Sequence, residues 1–132
     1  MAVQGIDHIN LSASGSTFAA LRDFYRDALG LEPGRRPPLR SAGLWLYAGA
    51  APIVHLVELP QREGISAPNG FRPALDHVAF RCANLEQSLE RLRRFGVAHV
   101  VNEVNAAGQI LVRLEDPAGL TLELVFDGSS QL

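Results

Sequence analysis

The sequence predicts an α+β fold made of two copies of one β-α-β-β-β unit, and three observations carry that prediction. Ile6-Asp7-His8-Ile9-Asn10-Leu11 returns as Leu75-Asp76-His77-Val78-Ala79-Phe80, at an offset of 69 from His8 to His77. Val54-His55-Leu56-Val57 returns as Leu122-Glu123-Leu124-Val125, at an offset of 68 from His55 to Glu123. Between these anchors, Phe18, Leu21, Tyr25 and Ala28 match Leu85, Ser88, Leu92 and Phe95 at an offset of 67, and Leu29-Gly30-Leu31 matches Phe95-Gly96-Val97 at 66. Ordered matches with a slowly drifting offset describe a duplicated supersecondary unit of roughly 60 residues. The 132 residues then form one domain of two modules, about 4–60 and about 74–128, joined by a Pro-rich linker over about 60–73.

Each element has a local reason. Residues 5–12 and 74–82 alternate as strands do. Residues 16–29 place Phe18, Leu21, Phe24, Tyr25, Ala28 and Leu29 at helical spacing, and Gly30 can end that helix in the left-handed region without a Cβ clash. In the second copy Asn84 is placed to cap a helix, Gln87 three residues on completes a capping-box-like pair, and Gly96 ends it. Three strand-like stretches follow each helix, near 31–36, 43–49 and 52–59 and again near 97–104, 108–115 and 119–127. Asp116-Pro117-Ala118-Gly119 suits a type I turn, which makes the last two stretches a hairpin. Residues 34–41, with Arg35, Arg36, Pro37 and Pro38, read as an irregular stretch bordering a pocket.

Composition removes several function classes. Twelve basic against fourteen acidic residues give a net charge of −2, which argues against nucleic acid as a partner. All the basic residues are arginine, so neither a lysine Schiff base nor a P-loop lysine is available. The single cysteine, Cys82, makes no intrachain disulfide, and it shares the helix-facing side with Phe80, where it reads as core rather than nucleophile. No apolar run approaches the ~20 residues of a membrane span, and the start of the chain lacks a secretory pattern. A cytoplasmic location with no membrane partner is the expectation.

Period-2 alternation sorts the strand side chains onto two faces. Ile9 and Leu11 share one face with the apolar residues of the other strands, among them Val78, Phe80, Leu122, Leu124 and Phe126. That face must cover the helix stripe. The opposite face carries His8 and Asn10, His77 and Arg81, and Glu123, with His55 at the position equivalent to Glu123. Strict alternation would also turn Asp7 and Asp76 away from the histidines that follow them. Imidazole and carboxylate suit borderline divalent ions, and two histidines with one carboxylate form a facial triad when their strands converge. His8 and His77 occupy equivalent places and are the leading ligand candidates. Glu123 is either a ligand or an edge carboxylate facing water, and His55 is a ligand, a proton shuttle or a core histidine. Trp45 and Tyr47 share a strand face and read equally as a pocket floor or as ordinary packing. Arg81 and Arg113 could fork an anionic substrate or lie exposed. His99 has no partner in the repeat and reads as structural or surface.

With these residues in hand, the chain resembles the vicinal oxygen chelate superfamily, which includes glyoxalase I, bleomycin-resistance proteins and extradiol dioxygenases. The resemblance is carried by Ile6-Asp7-His8-Ile9, Phe24-Tyr25-Arg26-Asp27-Ala28-Leu29-Gly30-Leu31, Leu75-Asp76-His77-Val78-Ala79-Phe80 and Asp116-Pro117-Ala118-Gly119-Leu120-Thr121-Leu122-Glu123-Leu124. It implies paired βαβββ modules whose curved mixed sheets enclose one divalent metal ion (Zn, Ni, Fe, Mn or Co), and it puts the metal positions on His8, His55, His77 and Glu123. It implies a small substrate with vicinal oxygens and a homodimer; Asn10, Trp45, Tyr47, Arg81 and Arg113 are the candidate substrate-binding residues. A glyoxalase-like lyase or isomerase would stabilise an enolate, with Glu123 as base. A histidine at 55, where glyoxalase I usually has a carboxylate or amide, departs from that pattern. In an Fe(II) extradiol dioxygenase, His55 would be a non-ligand acid–base group. A bleomycin-resistance-like protein would sequester its ligand without catalysis.

Overall fold

A computed structural model describes residues 4–60, 77–102 and 108–128. The chain divides into two compact units, Met1–Glu63 and Gly64–Leu132.

In the first unit β1 (Ile9–Ala13) leads into α1 (Gly15–Asp23), then β2 (Glu32–Gly34), β3 (Ala42–Ala48) and β4 (Ala51–Glu58). The sheet order is β1-β4-β3-β2, with β1 parallel to β4 and the remaining pairs antiparallel. A parallel neighbour for β1 requires the crossover that α1 provides. The apolar stripe of that helix buries Phe18 and Leu21, and Leu46, Val54 and Leu56 are buried on the sheet. Helical spacing continues past Asp23, but the segment Phe24–Ala28 is a π-helical turn in which Leu29 N donates to Phe24 O, five residues back, at 3.1 Å. Phe24, Tyr25 and Ala28 are all buried there. Gly30, at φ 75°, ends the helix, and Leu31 N closes onto Tyr25 O at 3.0 Å.

The second unit repeats the plan with β5 (His77–Cys82), α2 (Leu85–Arg94), β6 (His99–Asn102), β7 (Gln109–Glu115) and β8 (Thr121–Asp127). Its order, β5-β8-β7-β6, matches the first sheet strand for strand, again with the one parallel pair between the first and last strands. Leu92, Val112, Leu114, Leu122, Leu124 and Phe126 form its buried set. The turn at Asp116 forms as the sequence predicts, with Gly119 N donating to Asp116 O at 2.9 Å. The Asp116 carboxylate tightens it by accepting from Ala118 N and Leu120 N at 2.8 and 3.0 Å. His99 is structural, its Nδ1 donating to Val97 O at 2.8 Å.

Two local expectations are corrected. The first strand starts at Ile9, so residues 6–8 precede the sheet. Asn84 makes no side-chain cap; it takes φ 63°, a left-handed turn that asparagine tolerates better than most residues, and this turns its side chain from the helix N–H groups. The capping box with Gln87 is therefore absent. The expected linker over 60–73, and Asp76, lie almost wholly outside the described residues.

Candidate metal centre

The first unit builds a stack of three rings. Asn10 on β1 lies beside His55 on β4, and Trp45 on β3 lies opposite His55 from the other side. The pleat keeps these register partners on one face, so they form a row across three strands. His8, just ahead of β1, lays its ring on His55 with centroids 3.8 Å apart and planes 12° from parallel. The Trp45 indole stacks on His55 at 3.9 Å and 9°. Two rings both parallel to His55 at such distances cannot share one face, so His55 is sandwiched between them.

Hydrogen bonds decide the nitrogens. His8 Nδ1 donates to Asp7 Oδ2 at 2.7 Å. A carboxylate only accepts, so the proton is on Nδ1 and the neutral ring presents its lone pair at Nε2. Such a carboxylate behind an imidazole is the common arrangement around metal-bound histidine. This corrects the expectation that Asp7 faces away: strict alternation does not apply to residues 7 and 8, which precede the strand. His55 Nε2 donates to the Pro52 carbonyl at 3.0 Å, which leaves the lone pair at Nδ1. Burial first, and then the neighbouring His8, lower the His55 pKa, so the neutral ring is favoured.

The second unit repeats the row with other chemistry. Ala79 on β5 lies beside Glu123 on β8, and Arg113 on β7 lies opposite Glu123. His77 stands two residues before Ala79, as His8 stands two before Asn10. Its Nε2 is 3.8 Å from Glu123 Oε2. That is too long for a hydrogen bond. It falls in the range of about 3–4 Å between two atoms that each bind one ion at ~2.1 Å. The Glu123 side chain keeps 19% of its exposure and that of His77 41%, so both remain reachable from solvent.

The other expected residues divide. Asn10 is exposed and accepts from Ser12 Oγ at 3.2 Å. Tyr47 donates its hydroxyl to the Arg35 carbonyl and packs its ring against Gly34, which ties it to the loop after β2. Arg81 and Arg113 are exposed, and neither has an ion-pair partner among the described residues. Arg36, which sequence reasoning placed only in an irregular stretch, bonds Ser41 O and Oγ at 2.9 and 3.0 Å, and its charge reaches His55. Within either unit, no three His, Cys, Asp or Glu side chains among the described residues gather to hold an ion. Each unit thus brings together one pair, His8 with His55 and His77 with Glu123. Imidazole and carboxylate, the donor types in these pairs, suit a borderline divalent ion, while the sandwiched His55 is less well placed for one.

A family model, glyoxalase/bleomycin resistance protein/dioxygenase superfamily, matches residues 5–124. The chain belongs to this superfamily. Solved structures of glyoxalase-type proteins share the fold. One glyoxalase family protein from Bacillus anthracis aligns at 22% identity and TM-score 0.71, over 96% of this chain and 98% of that one. A glyoxylase/bleomycin resistance protein/dioxygenase domain from Frankia sp. EAN1pec aligns at 18% identity and TM-score 0.72, over 96% and 93%. Lactoylglutathione lyase from Agrobacterium tumefaciens aligns at 19% identity and TM-score 0.59, over 92% and 93%. Comparison with curated proteins returned no match. As elsewhere in the superfamily, the repeated βαβββ units supply the scaffold. No helix among the described residues is long and apolar enough to cross a membrane.

Proposed function

We propose that the protein is a divalent-metal-dependent enzyme of the glyoxalase type, a lyase or isomerase acting on a small substrate with vicinal oxygens. One observation carries this reading: in each unit a histidine two residues ahead of the row lies beside a last-strand side chain of ligand type, His8 against His55 and His77 against Glu123. His8, His77 and Glu123 would hold the ion, with His55 as a further candidate. When bound, a Zn, Ni, Fe, Mn or Co ion would act as a Lewis acid toward the substrate's two oxygens. Glu123 takes the proton from one substrate carbon and, for an isomerisation, returns it to the adjacent one, while His55, with Nδ1 open, moves a proton at the neighbouring oxygen. Asn10, Trp45, Tyr47, Arg81 and Arg113 are the candidate substrate contacts. Membership of the superfamily, with a lyase among the proteins that share the fold, is in keeping with this reading. The protein acts in the cytoplasm as a homodimer, without nucleic acid or membrane as partner.

A second reading, an Fe(II) extradiol dioxygenase, is favoured by the His55 sandwich. A ring covered on both faces and tied at Nε2 suits a non-ligand acid–base group better than a fourth ligand. Elemental analysis of the full chain, purified aerobically and anaerobically, followed by hemithioacetal and catechol assays, tests both. Bound metal with oxygen-independent hemithioacetal turnover supports the first reading. Iron with oxygen uptake and a yellow product from a catechol supports the second. A metal-free chain that binds a small molecule without turnover overturns both in favour of a sequestering protein.

A further inference from the structure

His8 is the least constrained of the ligand candidates by the backbone. It lies ahead of β1, outside the sheet's hydrogen-bond ladder, and its side chain is 38% exposed. A ring so placed is free to turn about both side-chain torsions and to exchange its proton between nitrogens. The structure restrains it along two independent directions. In the ring plane, Asp7 Oδ2 accepts from Nδ1 at 2.7 Å. Perpendicular to it, His55 covers one face at 3.8 Å, and His55 is itself backed by Trp45 at 3.9 Å and held at its edge by the Pro52 carbonyl. The second unit has Arg113 where the first has Trp45, so this aromatic backing belongs to one half of the repeat alone.

We propose that Asp7 and Trp45 are positioning residues for His8: Asp7 selects the tautomer that leaves Nε2 bare, and Trp45, acting through His55, sets the plane in which Nε2 is offered. The consequence for metal binding rests on the reading of His8 as a ligand; the consequence for the tautomer does not. Asp7 has a side chain 93% exposed, so its truncation leaves the packing untouched and isolates the hydrogen bond. An exposed pair of this kind adds little to stability. Its effect falls on which nitrogen is protonated.

Imidazole 15N NMR of the metal-free full chain, with calorimetric titration by Ni2+, tests the proposal. In the unsubstituted protein His8 is expected as the Nδ1–H tautomer. Asp7→Ala shifts it toward Nε2–H and weakens Ni2+ binding 10–100-fold, while Asp7→Asn, whose amide oxygen still accepts, keeps the tautomer. Trp45→Leu weakens Ni2+ binding about 10-fold and Trp45→Phe restores most of it, because a flat ring again backs His55. Unchanged Ni2+ affinity in both Asp7→Ala and Trp45→Leu overturns the proposal, as does an Nε2–H tautomer in the unsubstituted chain. If the unsubstituted chain takes up no Ni2+, the metal reading fails and the tautomer decides positioning by itself. Its loss in Asp7→Ala then supports the proposal, and its retention refutes it.

Discussion

His55 in the first unit and Glu123 in the second stand at the same station of the same fold, each on a last strand between a first-strand and a third-strand neighbour. One is closed in by Trp45 and His8 and is held neutral. The other keeps a carboxylate oxygen near His77, with an arginine across the strand. The backbone therefore repeats a geometry while the side chains divide the labour. The first unit offers bare nitrogen lone pairs on stacked rings, and the second offers a negative oxygen. A duplicated sheet can diversify its chemistry this way because strand register fixes where a side chain stands without fixing what it is.

The largest expected effect separates the two stations. Glu123→Gln keeps the shape but removes the base, and kcat should fall about 10²–10⁴-fold. His55→Gln should cost roughly tenfold less than that, because proton movement at an oxygen is the easier transfer. Steady-state kinetics on the substrate identified by the assays above, with metal content measured in parallel, checks the ordering. Equal losses would place the two residues in one role and undo the distinction.

Much of this was legible before any coordinates. The duplication appeared as offsets between paired motifs, and those offsets matched His8 to His77 and His55 to Glu123. What escaped did so for local reasons. Asp7 and His8 precede the strand, so the period-2 rule that turned Asp7 away had no pleat to act on. The His55 sandwich depends on side-chain rotamers that register alone does not set, and the Pro52 carbonyl that ties its edge carries no mark in the sequence. Asn84 is a good cap by residue type, yet its left-handed backbone points the side chain elsewhere. Arg36 gave no signal at all beyond belonging to a loop.

The cores allow a second comparison. Leu56 and Leu124 follow His55 and Glu123 by one residue and are buried to 0% and 4% exposure. Leu56→Ala and Leu124→Ala should each destabilise the chain by about 2–5 kcal/mol in urea unfolding. A difference well beyond ~1 kcal/mol would show that the two sheets collapse around a cavity unequally.

The smallest effect concerns pH. The folded-state pKa of His55 lies below its ordinary value, so as pH falls the unfolded chain takes up the proton first. Stability linked to His55 is complete above about pH 6.5 and declines as pH drops below that value toward the folded-state pKa. Thermal midpoints from pH 7.5 down to 5.5 should therefore fall more in the unsubstituted protein than in His55→Gln.

The widened turn at Phe24–Ala28 accounts for a detail of the duplication. Phe18 and Leu85 are 67 residues apart, but Gly30 and Gly96 are 66 apart, so the first helix holds one supernumerary residue before its glycine. A turn closed by a five-residue rather than a four-residue hydrogen bond takes up such an extra residue without rotating what lies on either side. Phe18 and Leu21 keep their seats above it and Gly30 keeps its own below. The bulge thus lets the first helix carry one residue more than the second before its closing glycine.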